Sequence, residues 1–294
     1  MSNVKKGIIL AGGSGSRLYP VTKSINKHLL PIYDKPMVYY ALTTLMLAGI
    51  RDILIIIRPE DLSLFKDILG NGVQWGIKIS YEFQSEPKGI AEAFLVGENF
   101  IDNQPVCLIL ADNFFYGQGL SHLLDQVKSS EGNYATVFAI PVDAPERFGI
   151  VDIDHKGIPT GLAEKPKNPT SNLAVTGLYF YDEHVVEYAR SLKPSPRGEL
   201  EITDLNRIYL EKGALRLKKL GRGIIWLDMG LPSSLLKVAN YVSIVQSEQS
   251  LGIGFPEEVA WRMQYINNTE FEEIISSMKA CEYQAYLKKV LTWK

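Results

Sequence analysis

Cysteine is nearly missing from this chain of 294 residues: only Cys107 and Cys281 occur. That excludes a disulfide framework. Because one lies in an apolar run and the other in a helical pattern, both read as buried free thiols of a reducing compartment, the cytoplasm. The four histidines, at 28, 122, 155 and 184, have neither HExxH spacing nor cysteine companions, so no zinc site is expected. No apolar segment reaches the roughly 18 residues of a membrane span. The run Ile8–Ala11 behind two lysines is too short for a signal-peptide core, so no export signal is expected either. Charge of one sign is concentrated nowhere. The 31 basic and 33 acidic residues are interspersed to a net charge of -2, which argues against a nucleic-acid arm or a polybasic membrane patch. Internal repeats and low-complexity segments are also lacking.

What is present is a core. At 46% hydrophobic content the chain can bury one elaborate α/β domain or two modest ones. Short β-rich apolar runs recur at Gly7–Ala11, Ile53–Ile57, Val106–Leu110, Thr136–Ile140 and Asn172–Asp182, with helical periodicity between several of them, as in Met37–Ala48 and Leu120–Val127. Near-continuous apolar strands alternating with helices predict a mostly parallel sheet covered on both faces. From about Asp143 the texture changes to strands punctuated by Pro and Gly, "ERFGIVDIDHKGIPTGLAEKPKNP", which predicts antiparallel hairpins over the substrate. Beyond Pro256 the spacing of Phe271, Ile274, Ile275 and Met278, then of Leu287, Val290 and Leu291, predicts an amphipathic helical tail. The expected division is a core over 1–240, with halves of about 1–142 and 143–240, and a helical segment over 241–294.

The stretch "GIILAGGSGSRLYPVTKSINKHLLPIYDKP" ends a strand in glycines, at the edge of a parallel sheet where α/β folds bind ligands. Gly12, Gly13 and Gly15 let N–H groups approach an anion without a Cβ in the way. A dinucleotide fingerprint would need a third glycine where Leu18 stands and an acidic residue where Arg58 and Pro59 follow the second strand. The GxxxxGK[ST] loop fails too, since no Gly-Lys-Ser/Thr occurs here. What remains is a glycine loop with Arg17 and Lys27, a guanidinium and an ammonium suited to a triphosphate. An ordinary tight turn is the competing reading of the loop by itself.

The full string "LAGGSGSRLYPVTKSINKHLLPIYDKPM" resembles the signature of sugar nucleotidyltransferases and, within them, of glucose-1-phosphate thymidylyltransferases. "LADNFFYG", "AEKP", "VTGLYFYD", "SPRGELEITD" and "WLDMG" agree with it in order, so the likeness runs over essentially the whole chain. The resemblance implies a Rossmann-like, mostly parallel mixed sheet flanked by helices, with an inserted antiparallel sugar-binding region and a helical C-terminal tail. It further implies transfer of a thymidylyl group from dTTP to glucose 1-phosphate with loss of pyrophosphate, at the first step of dTDP-deoxysugar synthesis such as that of dTDP-L-rhamnose.

Carried over residue by residue, the resemblance places Leu10, Gly12, Gly13, Ser14, Gly15 and Ser16 around the nucleotide, with Arg17 on the leaving pyrophosphate and Lys27 near the reacting phosphates. Gln84 and Gly89 match positions that read the pyrimidine edge, for which a glutamine amide offers both donor and acceptor. Asp112 and Asp228 would hold Mg²⁺, a hard ion that keeps several waters. Lys165 would bind the sugar phosphate and Glu164 the sugar hydroxyls, with Asn113, Gly149 and Val175 lining the sugar pocket. Taken alone, each aspartate reads as a turn or cap, "AEKP" as a surface turn and Val175 as core. Ser16 replaces the family's threonine and His28 its glutamine, a position that reads equally well as a partly exposed loop residue. Met229 and Leu231 depart from threonines around the second aspartate.

No general base is called for. A phosphate monoester has a second pKa near 6, so the sugar phosphate arrives mostly as a dianion and catalysis reduces to alignment and charge neutralisation. The resemblance also implies a homotetramer with a feedback site for a downstream dTDP-sugar, with Arg222 and Arg262 at candidate positions, although "LGIGFPEE" departs from the family's string there. A preference for UTP in the same chemistry, and a catalytically dead nucleotide-sugar sensor, are the alternatives. The presence of Arg17, Lys27, Asp112, Lys165 and Asp228 together disfavours the sensor.

Overall fold

Strands with almost no polar position cannot leave a face in water, and here they form the parallel centre of a sheet covered on both sides. The computed structural model describes residues 4–130 and 132–293. In chain order its strands are β1 (Lys6–Leu10), the short pair β2 (Pro31–Ile32) and β3 (Lys35–Pro36), β4 (Asp52–Ile57), β5 (Lys78–Phe83), β6 (Val106–Leu110), β7 (Asn113–Gly117), β8 (Ala135–Pro141), β9 (Gly149–Ile153), β10 (Pro159–Glu164), β11 (Leu173–Tyr181), β12 (Leu215–Lys219) and β13 (Ile224–Asp228). The helices are α1 (Val38–Leu47), α2 (Leu62–Leu69), α3 (Glu92–Val96), α4 (Glu98–Ile101), α5 (Leu120–Lys128), α6 (Val185–Ser191), α7 (Ile202–Glu211), α8 (Pro232–Gln249), α9 (Pro256–Arg262), α10 (Asn268–Ser277) and α11 (Glu282–Thr292).

The large sheet runs β10-β9-β11-β6-β1-β4-β5, with β8 beside β11 and β12 beside β8. β6, β1, β4 and β5 are parallel, and Leu10 is level with Ile56 and Leu110, so their carboxyl ends open onto one edge. β11 enters antiparallel to β6 and also pairs β8 and β9, joining the parallel half to the β9–β10 hairpin. The expected antiparallel region after Asp143 is this hairpin together with β11.

Successive residues of a strand face opposite sides, and β1 shows the consequence. Ile9 joins Ile53, Ile55 and Ile57 under α1, α2 and α5, while Ile8 joins Leu54 and Ile56 under α3, α6 and α7. The tail packs into the first of these layers: Phe271, Ile275, Leu287 and Val290 are at most 3% exposed among the same residues. Each such side chain contributes about 1.5–3 kcal/mol by leaving water, so α10 and α11 are held by the core of their own chain. α8 runs unbroken through residue 240 and buries Val238, Val242 and Val245 at helical spacing against Tyr40 and Phe114.

A separate two-stranded ribbon lies across the carboxyl edge. β7 and β13 are antiparallel with Asn113 opposite Asp228, and the Met229 N–H donates to the Asp112 carbonyl at 2.8 Å. One cysteine departs from expectation. Cys107 is buried in β6, but Cys281 is exposed at the start of α11, where the chain turns at the surface between two short tail helices. Among the described residues no helix is long and apolar enough to cross a membrane.

Candidate active site

The carboxyl edge of the sheet, the ribbon and the β9–β10 hairpin enclose one cleft of about 710 Å³. Its floor is the glycine loop. Gly15 is left-handed, φ 65°, and a Cβ there would stand 2.9 Å from Thr22 and 3.1 Å from Lys27. Gly13 packs on the Lys27 stem in the same way, at 3.4 Å. The glycines therefore let the loop close around Lys27, which leads a single helical turn, Lys27–Leu29, capped by the Asn26 side chain. Leu10, Gly13, Ser16, Arg17 and Lys27 line the cleft, whereas Gly12, Ser14 and Gly15 are not among the residues that line it.

Lys27 Nζ lies 2.5 Å from Asp112 Oδ2, with both side chains nearly buried. Burial by itself would raise the Asp112 carboxyl, but the Lys27 charge, His28 and the hydrogen bonds from Lys27 and Asn113 together more than offset it and hold this carboxyl well below the usual range. Asp228 lines the same cleft and goes the opposite way. Burial first and the neighbouring Asp112 second raise it, against the lowering effect of Arg17 and Lys27. Arg17 is brought to Asp228 by Gly230, over whose Cα the guanidinium packs so closely that a Cβ has no room.

His28 corrects the reading of a partly exposed loop residue: it is 2% exposed. Asn26 Nδ2 donates to the Ala11 carbonyl at 3.2 Å and to Asp61 Oδ2 at 2.6 Å, so its Oδ1 accepts from both the backbone N–H and Nδ1 of His28. Burial, then the Lys27 charge, push the His28 pKa down to about 3, so the ring is neutral with its proton on Nδ1.

The other wall is polar in a different way. Glu164 Oε2 accepts from Thr203 Oγ1 at 2.6 Å, and Oε1 stands 3.2 Å from Lys165 Nζ and 3.6 Å from Arg197. Lys165 itself adopts φ 43°, a conformation side chains rarely take, and its N–H donates to the Phe148 carbonyl at 3.0 Å. Gly149, Val175 and Asn113 also line the cleft. Arg147, Arg197, Tyr179 and Trp226 also line it and were not read from the sequence, although Arg197 stands in "SPRGELEITD", Tyr179 in "VTGLYFYD" and Trp226 in "WLDMG".

Four other expected positions, Gln84, Gly89, Arg222 and Arg262, lie outside the cleft lining. Gln84 is buried, its Nε2 donating to Glu92 Oε2 at 2.6 Å and to the Gly89 carbonyl at 3.2 Å. Its Oε1 faces Gly12, where a Cβ would stand 2.9 Å away. Gly89, φ 102°, packs against the Leu200 backbone too closely for any side chain. Arg262 donates to Glu258 Oε1 at 2.7 Å and lines a second cavity, of about 260 Å³, between α1, β7 and α9. Arg222 is exposed in the turn before β13 and does not line that cavity.

A cleft with two carboxylates and several cations stands at the edge of a parallel sheet, and the chain belongs to the nucleotidyl transferase family, whose model matches residues 6–243. Over 286 residues it is 53% identical to the glucose-1-phosphate thymidylyltransferase of Neisseria meningitidis, covering 97% of this chain and 99% of that protein. It is 48% identical to the enzyme of the same name from Mycobacterium tuberculosis, again over 97% and 99%. A crystal structure of UDP-glucose pyrophosphorylase complexed with UDP-glucose superposes with a TM-score of 0.73 at 27% identity, covering 82% of this chain and 99% of that one.

Proposed function

We propose that this protein transfers the thymidylyl group of dTTP to α-D-glucose 1-phosphate, giving dTDP-glucose and pyrophosphate. The observation that carries the reading is the single cleft in which Arg17, Lys27, Asp112 and Asp228 face Glu164 and Lys165: charges for a triphosphate on one side, a carboxylate and a lysine for a sugar phosphate on the other. An oxygen of the sugar phosphate forms the new bond to the α-phosphorus, and the bond to the bridging oxygen of pyrophosphate breaks. Arg17 and Lys27 balance charge on the phosphates, Lys165 orients the incoming phosphate, and Glu164, held by Thr203, accepts from sugar hydroxyls. No side chain has to remove a proton, since the nucleophile is already a dianion at neutral pH.

Two carboxylates in one cleft, one of them raised in part by the other, suit a divalent cation. Asp112 and Asp228 would hold Mg²⁺. Among the described residues no third His, Cys, Asp or Glu joins them, so phosphate oxygens and water would complete the shell. When bound, the ion would polarise the phosphates and shield their charge. Residues 1–142 would then serve mainly the nucleotide, 143–240 the sugar, and 241–294 assembly into a homotetramer in the cytoplasm. The cavity at Arg262 would take a downstream dTDP-sugar for feedback inhibition.

Pyrophosphate release measured with dTTP, UTP, glucose 1-phosphate and Mg²⁺ tests the reading. Release that needs dTTP, sugar phosphate and metal together is expected. Release independent of glucose 1-phosphate would overturn it.

A further inference from the structure

Three distant stretches of chain meet at one oxygen atom. Asn113 Oδ1, 3% exposed as a residue, accepts the backbone N–H of Gly177 at 2.9 Å and the indole N–H of Trp226 at 2.6 Å. Neither donor is there by accident of packing. The ladder between β11 and β8 loses register between Val175 and Tyr179, which leaves the Gly177 N–H free for a side chain. A Cβ at Gly177 would stand 2.6 Å from Asn113 Oδ1 and 2.8 Å from Leu110, so only glycine lets the amide approach. Trp226 sits two residues before Asp228 in β13, on the strand that pairs with β7.

With both lone pairs of its oxygen taken, the Asn113 amide cannot turn over. Its Nδ2 must face Asp112, and it donates to Oδ1 there at 3.1 Å. The other carboxylate oxygen, Oδ2, meets Lys27. The geometry points to Trp226 as a positioning residue: acting through Asn113, it fixes the Asp112 carboxylate so that Oδ1 stays bound within the protein and Oδ2 is the oxygen offered to phosphates and a divalent ion. Were the amide to flip, its oxygen would face Asp112 Oδ1, two acceptors with no proton between them, and the carboxylate would rotate away. Asn113 keeps one amide hydrogen after serving Asp112, so a sugar contact is compatible with this role. The inference rests on the metal assignment of Asp112 made above.

Mn²⁺ binding in the presence of dTTP, followed by electron paramagnetic resonance, tests it without turnover. Trp226→Phe keeps the ring and removes the N–H, and it should weaken Mn²⁺ by roughly five- to tenfold, the loss of about one hydrogen bond to a buried acceptor. Phe148→Leu, which removes the ring packed edge-on against Trp226 at 5.3 Å but leaves the N–H, should change Mn²⁺ affinity less than twofold. Equal affinity in Trp226→Phe and wild type overturns the inference alone. A wild-type protein that takes up no Mn²⁺ with dTTP overturns the metal assignment and the inference with it. If Trp226→Phe does not fold, the wild-type protein labelled with ¹⁵N-tryptophan decides. Its indole resonance, assigned by substituting Trp75, Trp261 and Trp293, should be protected from exchange and should shift on addition of Mg²⁺ and dTTP. A rapidly exchanging Trp226 indole would overturn the proposal.

Discussion

Lys27 Nζ stands 2.5 Å from Asp112 Oδ2, so the lysine assigned to the reacting phosphates and the aspartate assigned to the metal hold each other in place. Lys27 helps keep the Asp112 carboxylate charged inside a cleft where burial alone would favour its neutral form. Phosphates that draw Lys27 toward themselves would release Oδ2 at the same moment, which would link nucleotide binding to exposure of the oxygen assigned to the metal.

The two lysines of the cleft should therefore fail differently when truncated. Lys27→Ala removes charge that follows the reacting phosphates and should lower kcat by about 10²–10³-fold, the usual size for a lost electrostatic contact in a transition state. Lys165→Ala, on the opposite wall beside Glu164, should mainly raise KM for glucose 1-phosphate. Steady-state kinetics with each substrate varied separates them. A Lys27→Ala protein changed only in its KM for glucose 1-phosphate would show the roles to be exchanged.

The two aspartates should move stability in opposite directions while both abolish turnover. Asp112 is held below its ordinary pKa, so its ionised form stabilises the fold above the usual carboxylate range, and that stability is lost as pH falls. Asp112→Asn should cost about 1–3 kcal/mol, because Lys27 is left without its partner. Asp228 is raised by burial and by Asp112, so the folded protein prefers it protonated and loses stability as pH rises through its folded pKa. Asp228→Asn should leave Tm unchanged or higher at pH 7 in the presence of a chelator. A lower Tm for Asp228→Asn than for Asp112→Asn would contradict this.

His28 gives a test by pH alone. Its folded pKa of about 3 lies far below 6.5, so the unfolded chain binds the proton first on acidification. Stability present above pH 6.5 should fall as pH drops from 6.5 toward 3, and His28→Gln should remove that part of the slope. The ring resonances of His28 should not titrate between pH 5 and 8. A midpoint near 6.5 would mean that the ring is not buried as described.

What could be read from the sequence was whatever repeats locally. Val106–Leu110 is a strand over the expected residues and α5 differs from expectation by one residue, because an apolar run or a helical stripe carries its own signal. The ribbon of β7 and β13 carries none. Asn113 pairs with Asp228 across the chain, and only Ala111 and Asp112 separate β7 from β6, with no turn residue such as Gly or Pro to mark a new strand. The recognised motifs named Asp112, Asp228 and Lys165, but the partners that orient them, Asn26 beneath His28 or Trp226 on Asn113, depend on folded geometry. The burial of His28 was likewise hidden, since a three-residue turn shows no periodicity from which to infer a face.

If Gln84 reads the pyrimidine edge as assigned, its amide sets the base preference. Its Nε2 is committed to Glu92 Oε2 and the Gly89 carbonyl, which leaves Oε1 as the free acceptor beside Gly12. An acceptor at that position suits the N3–H of thymine and of uracil alike and opposes cytosine, whose N3 is itself an acceptor. Discrimination between the first two then falls to the thymine methyl and the ribose 2′-hydroxyl. Burying one methyl contributes roughly 0.8 kcal/mol, only about fourfold, and exclusion of the hydroxyl adds a factor of similar size. We expect dTTP to exceed UTP in kcat/KM by a single-digit to low-tens factor, with dCTP and purine triphosphates poor. Competition kinetics over dTTP, UTP, dCTP and the purine triphosphates measures this. UTP favoured tenfold over dTTP would remove the thymidylyl assignment while leaving nucleotidyl transfer intact, and dCTP used as well as dTTP would show that Gln84 does not read the base.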